Sequence, residues 1–275
     1  MIWSIHHSLD DIRNEKLKTQ LVIRGLARMS SRTAAISYCS RISADQHEAI
    51  GFDPSRRAVI PNGIDVEGFT IRPALRGKLR SLLGVGPERF VIGNVARCHP
   101  MKDQVNLVRA VGHLAGQGLD VQAVFIGHGH ENGVVENAAR ELGISDRITI
   151  LGVRGDVVDL LPGMDAFAQS SAWGEAFPLS LGEAMACGVP SVATDVGDTA
   201  WLLGREGSVV PPRDSEALAS ALRDIYHTGS DARAALGERA RQRVVENFSL
   251  RLYVERHMDL YERALGHGRN GQTER

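Results

Sequence analysis

Two carboxylates, two cations and a histidine pair stand where chemistry could be done. In the run Ser170-Ser-Ala-Trp-Gly-Glu175-Ala-Phe-Pro178-Leu-Ser-Leu-Gly-Glu183, a strand ends, a loop follows and a helix begins. Pro178 suits the first turn of that helix, Gly188 its end and Pro190 the next strand. Glu175 then lies in the loop and Glu183 within about two turns of the helix start, so both can face one cleft from different elements. Carboxylates beside a helix N-terminus suit bidentate hydrogen bonding to sugar hydroxyls, and the free backbone N–H groups suit a phosphate. A pair of solvated charges is the competing reading. Arg97 and Lys102, five apart after the run 90–96, could neutralise a diphosphate, or could be plain surface cations. The sequence has no D-x-D, so protein cations rather than a phosphate-bound metal would do that work.

Three further groups complete the candidates. Gly127-His-Gly129-His-Glu-Asn-Gly133 follows an apolar run but misses the dinucleotide fingerprint by one residue, and no suitable acid follows about 20 residues on, where 147–151 reads as the next strand. A close backbone approach to a ligand and a plain tight turn both fit it. His6 and His7 follow the run 2–5 and could supply a base or an anion ligand, or be structural. Arg13, Lys16, Lys18, Arg24, Arg28 and Arg32 face one acid, Glu15, with Leu17, Leu21 and Leu26 as an apolar side. Such a helix could touch anionic lipid or simply be a solvated face.

The elements that must position these residues alternate. Apolar runs at 90–96, 121–127, 147–151, 165–170, 189–194 and 208–210 are separated by helix candidates at 102–115, 134–142, 157–161, 178–186 and 214–227. Repeated βα units predict a parallel sheet covered by helices on both faces, with ligands at the C-terminal ends of its strands. Asp214 and Ser249 are placed as helix caps; the helix after Ser249 carries Val254, Met258, Tyr261 and Leu265 on one stripe. Residues 1–57 offer two strands (2–5, 33–37) and two helices (14–31, 43–50), too little for an independent domain. They read as the end of a domain whose beginning is absent.

The chain has 275 residues, 43% of them hydrophobic and 24% charged, with 29 glycines, 5% aromatics and a formal net charge of −1. This is globular α/β composition, without the basic footprint of a nucleic-acid binder. No apolar run approaches the ~20 residues of a membrane span, and the N-terminus has no signal-peptide pattern. Cys39, Cys98 and Cys187 form no CxxC pair, which fits reduced thiols in a cytoplasmic protein without a cysteine metal site.

In order along the chain come Val59-Ile60-Pro61-Asn62-Gly63-Ile64-Asp65, Arg97 with Lys102, Gly127-His-Gly129, Leu151-Gly-Val-Arg154-Gly-Asp156-Val157, the pair Glu175 and Glu183, and Thr194-Asp-Val-Gly-Asp198. This series, from about residue 3 to 250, resembles the family 4 retaining glycosyltransferases of the GT-B fold, especially bacterial members building cell-surface polysaccharides and lipid-linked glycans. The resemblance implies a complete C-terminal doubly wound, Rossmann-like parallel-sheet domain (58–247), a partial N-terminal α/β acceptor domain (1–57), a final helix crossing back onto it (248–266) and a disordered tail (267–275). It implies a retaining, metal-independent transfer from a UDP- or GDP-sugar to a glycan or lipid-linked acceptor, without nucleic acid or cofactor. The setting would be polysaccharide or lipopolysaccharide synthesis in the cytoplasm, with the inner face of the plasma membrane as a peripheral docking surface. Arg97 and Lys102 would hold the donor diphosphate, Glu183 the ribose and Glu175 the sugar. Gly127 and Gly129 would line the donor site. Phe177, Pro178 and Leu179 would lie near the sugar and phosphate, and Val153 and Arg154 would border the base. His6 falls at the family's active-site histidine, with His7 as the alternative register. An inactive, truncated nucleotide-sugar-binding module is the second expectation, and a sugar-nucleotide epimerase a weaker third.

Overall fold

The computed structural model describes residues 1–266; the expected tail, 267–275, lies outside the described residues. A first unit holds β1 (Ile2–Ile5), α1 (Leu17–Met29), β2 (Ala35–Tyr38), α2 (Arg41–Ala49) and β3 (Arg57–Val59). The second begins with α3 (Arg76–Leu83), β4 (Phe90–Val95), α4 (Gln104–Gly116), β5 (Val121–Ile126) and α5 (Val134–Glu141). It continues through β6 (Ile148–Gly152), α6 (Val157–Leu160), β7 (Ala166–Gln169), α7 (Leu179–Ala186), β8 (Ser191–Thr194) and α8 (Thr199–Leu203). It closes with β9 (Ser208–Val210), α9 (Ser215–His227), α10 (Ser230–Phe248) and α11 (Leu250–Ala264).

Both sheets are parallel: β1-β2-β3 in the first unit and β6-β5-β4-β7-β8-β9 in the second. The chain runs outward from β4 through β5 to β6, then returns to the other side of β4 at β7. The β4/β7 junction is therefore the switch point at which ligands of doubly wound sheets bind. β5 is buried along its whole length, as expected of a strand covered on both faces. One face of the sheet packs Phe167, Leu181, Met185 and Phe248, and the other Leu107, Val111, Phe125 and Leu222. Below the sheet, buried Asp165 takes hydrogen bonds from Arg76 (2.6 Å), Arg80 (2.5 Å) and the Val91 N–H (2.8 Å), tying α3 to the starts of β4 and β7.

The two units are joined by crossing segments. Ile64 donates to Phe248 O and accepts from Leu250 N–H (2.8 Å each), a parallel bridge between the linker and the α10–α11 corner. The approach is close enough that a side chain at Gly63 would meet Leu250 Cα at 2.8 Å. Arg241 of α10 donates to the carbonyls of Val66, Phe69 and Ala186. α11 then lies against the first sheet, where Leu260 packs with Ala35 and Ile60 and His257 meets Ser37 Oγ at 3.3 Å. The caps at Asp214 and Ser249 form as expected.

Three expectations need correction. The boundary at residue 57 cuts β3, which pairs with β2; the first unit therefore has three strands and extends past Val59. α3 was not expected at all; its basic sequence buries only Leu79 and Arg80. On α11 the stripe Val254, Met258, Tyr261 and Leu265 is exposed. The packing face instead carries Tyr253, His257 and Leu260, whose polar members mask it from a hydrophobic-pattern reading.

Candidate functional site

The loops after β4 and β7 leave the sheet side by side, and this is what brings Lys102 to Glu175. Ala172 N–H donates to Met101 O (2.8 Å) and Ser170 Oγ to Lys102 O (2.8 Å), so the loops are stitched together before either charged side chain acts. Lys102 Nζ then donates to Glu175 Oε1 at 2.5 Å, and Ser171 Oγ donates to the same oxygen at 2.5 Å. Glu175 is only 7% exposed, so its charge depends on these two donors. Gly197 holds the loop from the other side: a Cβ there would lie 2.2 Å from Glu175 O.

Behind Glu175 the chain enters α7. Phe177 is buried against Trp201 and Phe248, Pro178 occupies the N-cap, and Leu179 opens the helix half-exposed. No side chain caps α7 and no acid lies in its first turn, leaving its leading N–H groups for another partner. The carboxyl group of Glu183, its fifth residue, receives no hydrogen bond or ion pair among the described residues, and burial raises its pKa above the usual carboxylate range.

The other expected residues fall into two groups. Arg97 is exposed at the β4 end, where its carbonyl accepts from Gln104 Nε2 (2.9 Å). Gly127 and Gly129 have φ of +148° and +84°, and side chains there would strike Ala96 O and Cys98 O. Their close backbone approach is thus to the loop carrying Arg97. Val153 is 76% exposed beyond β6. Arg154 is held by Asp156 through two 2.9 Å hydrogen bonds, and Lys78 (3.0 Å) helps hold the Asp156 carboxyl well below its ordinary pKa. His6 is exposed at the end of β1 and pairs with Ser4 Oγ (2.8 Å); among the described residues no hydrogen bond joins it to Lys102 or Glu175. His7 packs edge-on against His47.

Two contacts escaped the sequence. Ser171 lies within the run containing Glu175, but nothing in its spacing distinguishes it from Ser170. Asp198 closes the last motif, and its carboxylate accepts from the N–H groups of Arg41 (2.5 Å) and Ile42 (3.1 Å) at the start of α2. The Arg41 guanidinium lies 3.9 Å over the Trp201 ring, so the two units meet here as well as at α11.

The family described as "Glycosyl transferases group 1" matches residues 77–243. The chain belongs to this family. It is 33% identical over 220 residues to the D-inositol 3-phosphate glycosyltransferase of Mycobacterium marinum, covering 78% of this chain and 46% of that one. It is 28% identical over 216 residues to the UDP-Gal:alpha-D-GlcNAc-diphosphoundecaprenol alpha-1,3-galactosyltransferase of Escherichia coli, covering 76% and 54%. The chain thus spans about half the length of these relatives. In fold it is similar to Anabaena Alr3699/HepE in complex with UDP, with a TM-score of 0.84 at 24% identity over 96% of this chain and 72% of that one. The architecture is accordingly that of the GT-B glycosyltransferases.

Proposed function

We propose that this chain carries the donor-binding half of a family 4 retaining glycosyltransferase. It would move a hexosyl unit from a UDP- or GDP-sugar to a glycan or lipid-linked acceptor in polysaccharide or lipopolysaccharide synthesis. The observation that carries this reading is the Lys102–Glu175 pair at the β4/β7 switch point, beside an uncapped α7 N-terminus and an unpartnered Glu183. The Anabaena structure holding UDP and the Escherichia coli UDP-galactose-dependent relative favour uridine as the base, and the diphosphoundecaprenol acceptor of that relative favours a lipid-linked one here.

In the reaction the bond from the anomeric carbon to the diphosphate breaks, and negative charge grows on the departing oxygen. Lys102 leaves Glu175 for the diphosphate, joined by Arg97 and the α7 N–H groups, which stabilise that charge without a metal ion. Glu175, released from Lys102, turns to the sugar hydroxyls, while Glu183 accepts from the ribose. Phe177, Pro178 and Leu179 border the sugar and phosphate, and Val153 and Arg154 the base. The acceptor hydroxyl then bonds to the anomeric carbon on the face the diphosphate left and passes its proton to the departing diphosphate oxygen, which gives retention. His6 lies on the acceptor side. The basic, apolar face of α1 would rest on the anionic inner surface of the plasma membrane.

The alternative reading is a module that binds nucleotide-sugar without transferring it. Thermal shifts with UDP, GDP and ADP test the donor site. A nucleotide at 100 times its Kd adds about 2.7 kcal/mol, a rise of several degrees at this size. One selective shift is expected, and no shift with any nucleotide overturns both readings. Transfer from the matching nucleotide-sugar separates the two. Lys102→Ala should lower the transfer rate by about 10²–10³, and transfer at the wild-type rate in that variant overturns its role.

A further inference from the structure

A cavity of about 460 Å³ opens on the α4 side of the same two loops, lined by Asp103, Asn106, Arg109, Asn132, Trp173 and Arg213. Lys102, Glu175 and Glu183 do not line it. Its volume is that of a small-molecule site. Three observations mark it as built for a ligand. Asn106 is 2% exposed, yet its Nδ2 has no hydrogen-bond partner. A buried amide donor left unmade is costly, and this is one of ten buried side-chain nitrogen and oxygen atoms without a partner among the described residues. Asp103 (φ 44°) and Arg213 (φ 61°) are the non-glycine residues held at positive φ among the described residues, and both stand in this wall. Strain of that kind concentrates at ligand sites. The half-buried Trp173 ring forms part of the wall, with the Arg213 guanidinium 5.4 Å from its centroid.

The lining chemistry selects a ligand class. An indole face packs against the C–H groups of a pyranose ring. The carboxylate of Asp103 accepts from hydroxyls, the amide of Asn132 and the guanidinium groups of Arg109 and Arg213 donate to hydroxyl and ring oxygens, and the Asn106 amide, whose Nδ2 is shielded from solvent, turns into the cavity to join them. We propose that this cavity is a saccharide subsite that holds one pyranose unit of the glycan being extended, and this assignment rests on the reading of the chain as a glycosyltransferase. Asp103 directly follows Lys102, and Trp173 lies two residues before Glu175. A sugar seated here therefore lies behind the loops that carry the Lys102–Glu175 pair.

The probes are the methyl α-glycosides of glucose, galactose, mannose and N-acetylglucosamine, titrated by saturation-transfer NMR and calorimetry with and without saturating UDP. At least one glycoside should bind, with unchanged affinity in the presence of UDP. Trp173→Ala and Asn106→Leu should each weaken it tenfold or more while leaving the UDP thermal shift intact. Asn106→Leu removes an unpaired buried donor, so its melting temperature should equal or exceed that of the wild type. This separates lost binding from lost folding. Glycoside binding that persists when UDP fails to bind would remove the donor reading and leave the subsite standing. The proposal is overturned if no glycoside binds a protein that binds UDP, if UDP displaces the glycoside, or if binding survives both substitutions.

Discussion

Glu183 is half-buried on α7 without a partner, and desolvation raises its pKa. Folding therefore holds a proton on this carboxyl more tightly than the unfolded chain does. Stability is lost as pH rises from the ordinary glutamate range through the raised value, and the whole penalty is present above it. Glu183→Gln keeps the shape and removes the charge. It should raise the melting temperature of the free protein near pH 7, by about 2–4 °C per kcal/mol at this length. The gain should vanish near pH 3, where the wild-type carboxyl is protonated in both states. The same variant should lose the nucleotide-dependent thermal shift, because an amide accepts through one oxygen where a carboxylate offers two. In the wild type, nucleotide affinity should begin to fall on acidification at a higher pH than an ordinary glutamate would give. Melting curves of both proteins at the two pH values, with and without UDP, check all three statements. Equal melting temperatures at pH 7 would remove the desolvation argument, and a retained UDP shift the ribose role.

The start of α2 shows how far an element depends on a distant one. Its leading donors are all satisfied: Arg41 and Ile42 by Asp198, Ser43 by Ser40 Oγ and Ala44 by Ser40 O. A carboxylate from the second unit thus completes the N-terminus of a helix in the first, where the helix dipole favours it. Asp198→Ala leaves two of these donors without acceptors. Losing a cap costs about 0.5–2 kcal/mol, so amide exchange across α2 should quicken roughly 2- to 30-fold while β4 and β5 keep their protection. Unchanged exchange in α2 would show that the clamp contributes nothing. This clamp was invisible in the sequence because Asp198 and Arg41 share no local pattern. The same reason hid the three carbonyls gathered by Arg241, whereas Ser171 was hidden because nothing in its spacing sets it apart from Ser170. The six strands of the second sheet were legible as apolar runs between glycine-marked turns, and Lys102 and Glu175 could be singled out by residue type and order. β3 was not legible, because three residues beginning with an arginine do not make a hydrophobic run. α3 is held by the Arg80–Asp165 ion pair as much as by Leu79, so hydrophobic periodicity could not find it.

At the scale of the whole molecule, apolar surface stays uncovered on the first unit. α1 buries Ile23 and Ala27, while Leu17 and Leu21, the side expected to be apolar, are 77% and 70% exposed, with Val22 and Met29 beside them. Among the described residues β1 ends its sheet, and its outer edge is unpaired. No helix among the described residues is long and apolar enough to cross a membrane. The proposed membrane contact would therefore be interfacial, with leucines entering the headgroup layer and the surrounding bases meeting anionic lipid. Each base near such a surface contributes about 1 kcal/mol, and the range 13–32 carries six bases against one acid. The attraction is screened as the Debye length falls from about 10 Å at 0.1 M salt to about 3 Å at 1 M. The protein should co-sediment with vesicles containing anionic phosphatidylglycerol at low salt and be released at 1 M. Leu17→Glu combined with Leu21→Glu should abolish binding without lowering the melting temperature, because neither side chain is buried. No binding to anionic vesicles at low salt would dismiss the membrane role. A melting temperature that fell sharply in the double variant would show instead that this face packs against protein, and the leucines would then belong to an interface that covers α1 and the β1 edge together.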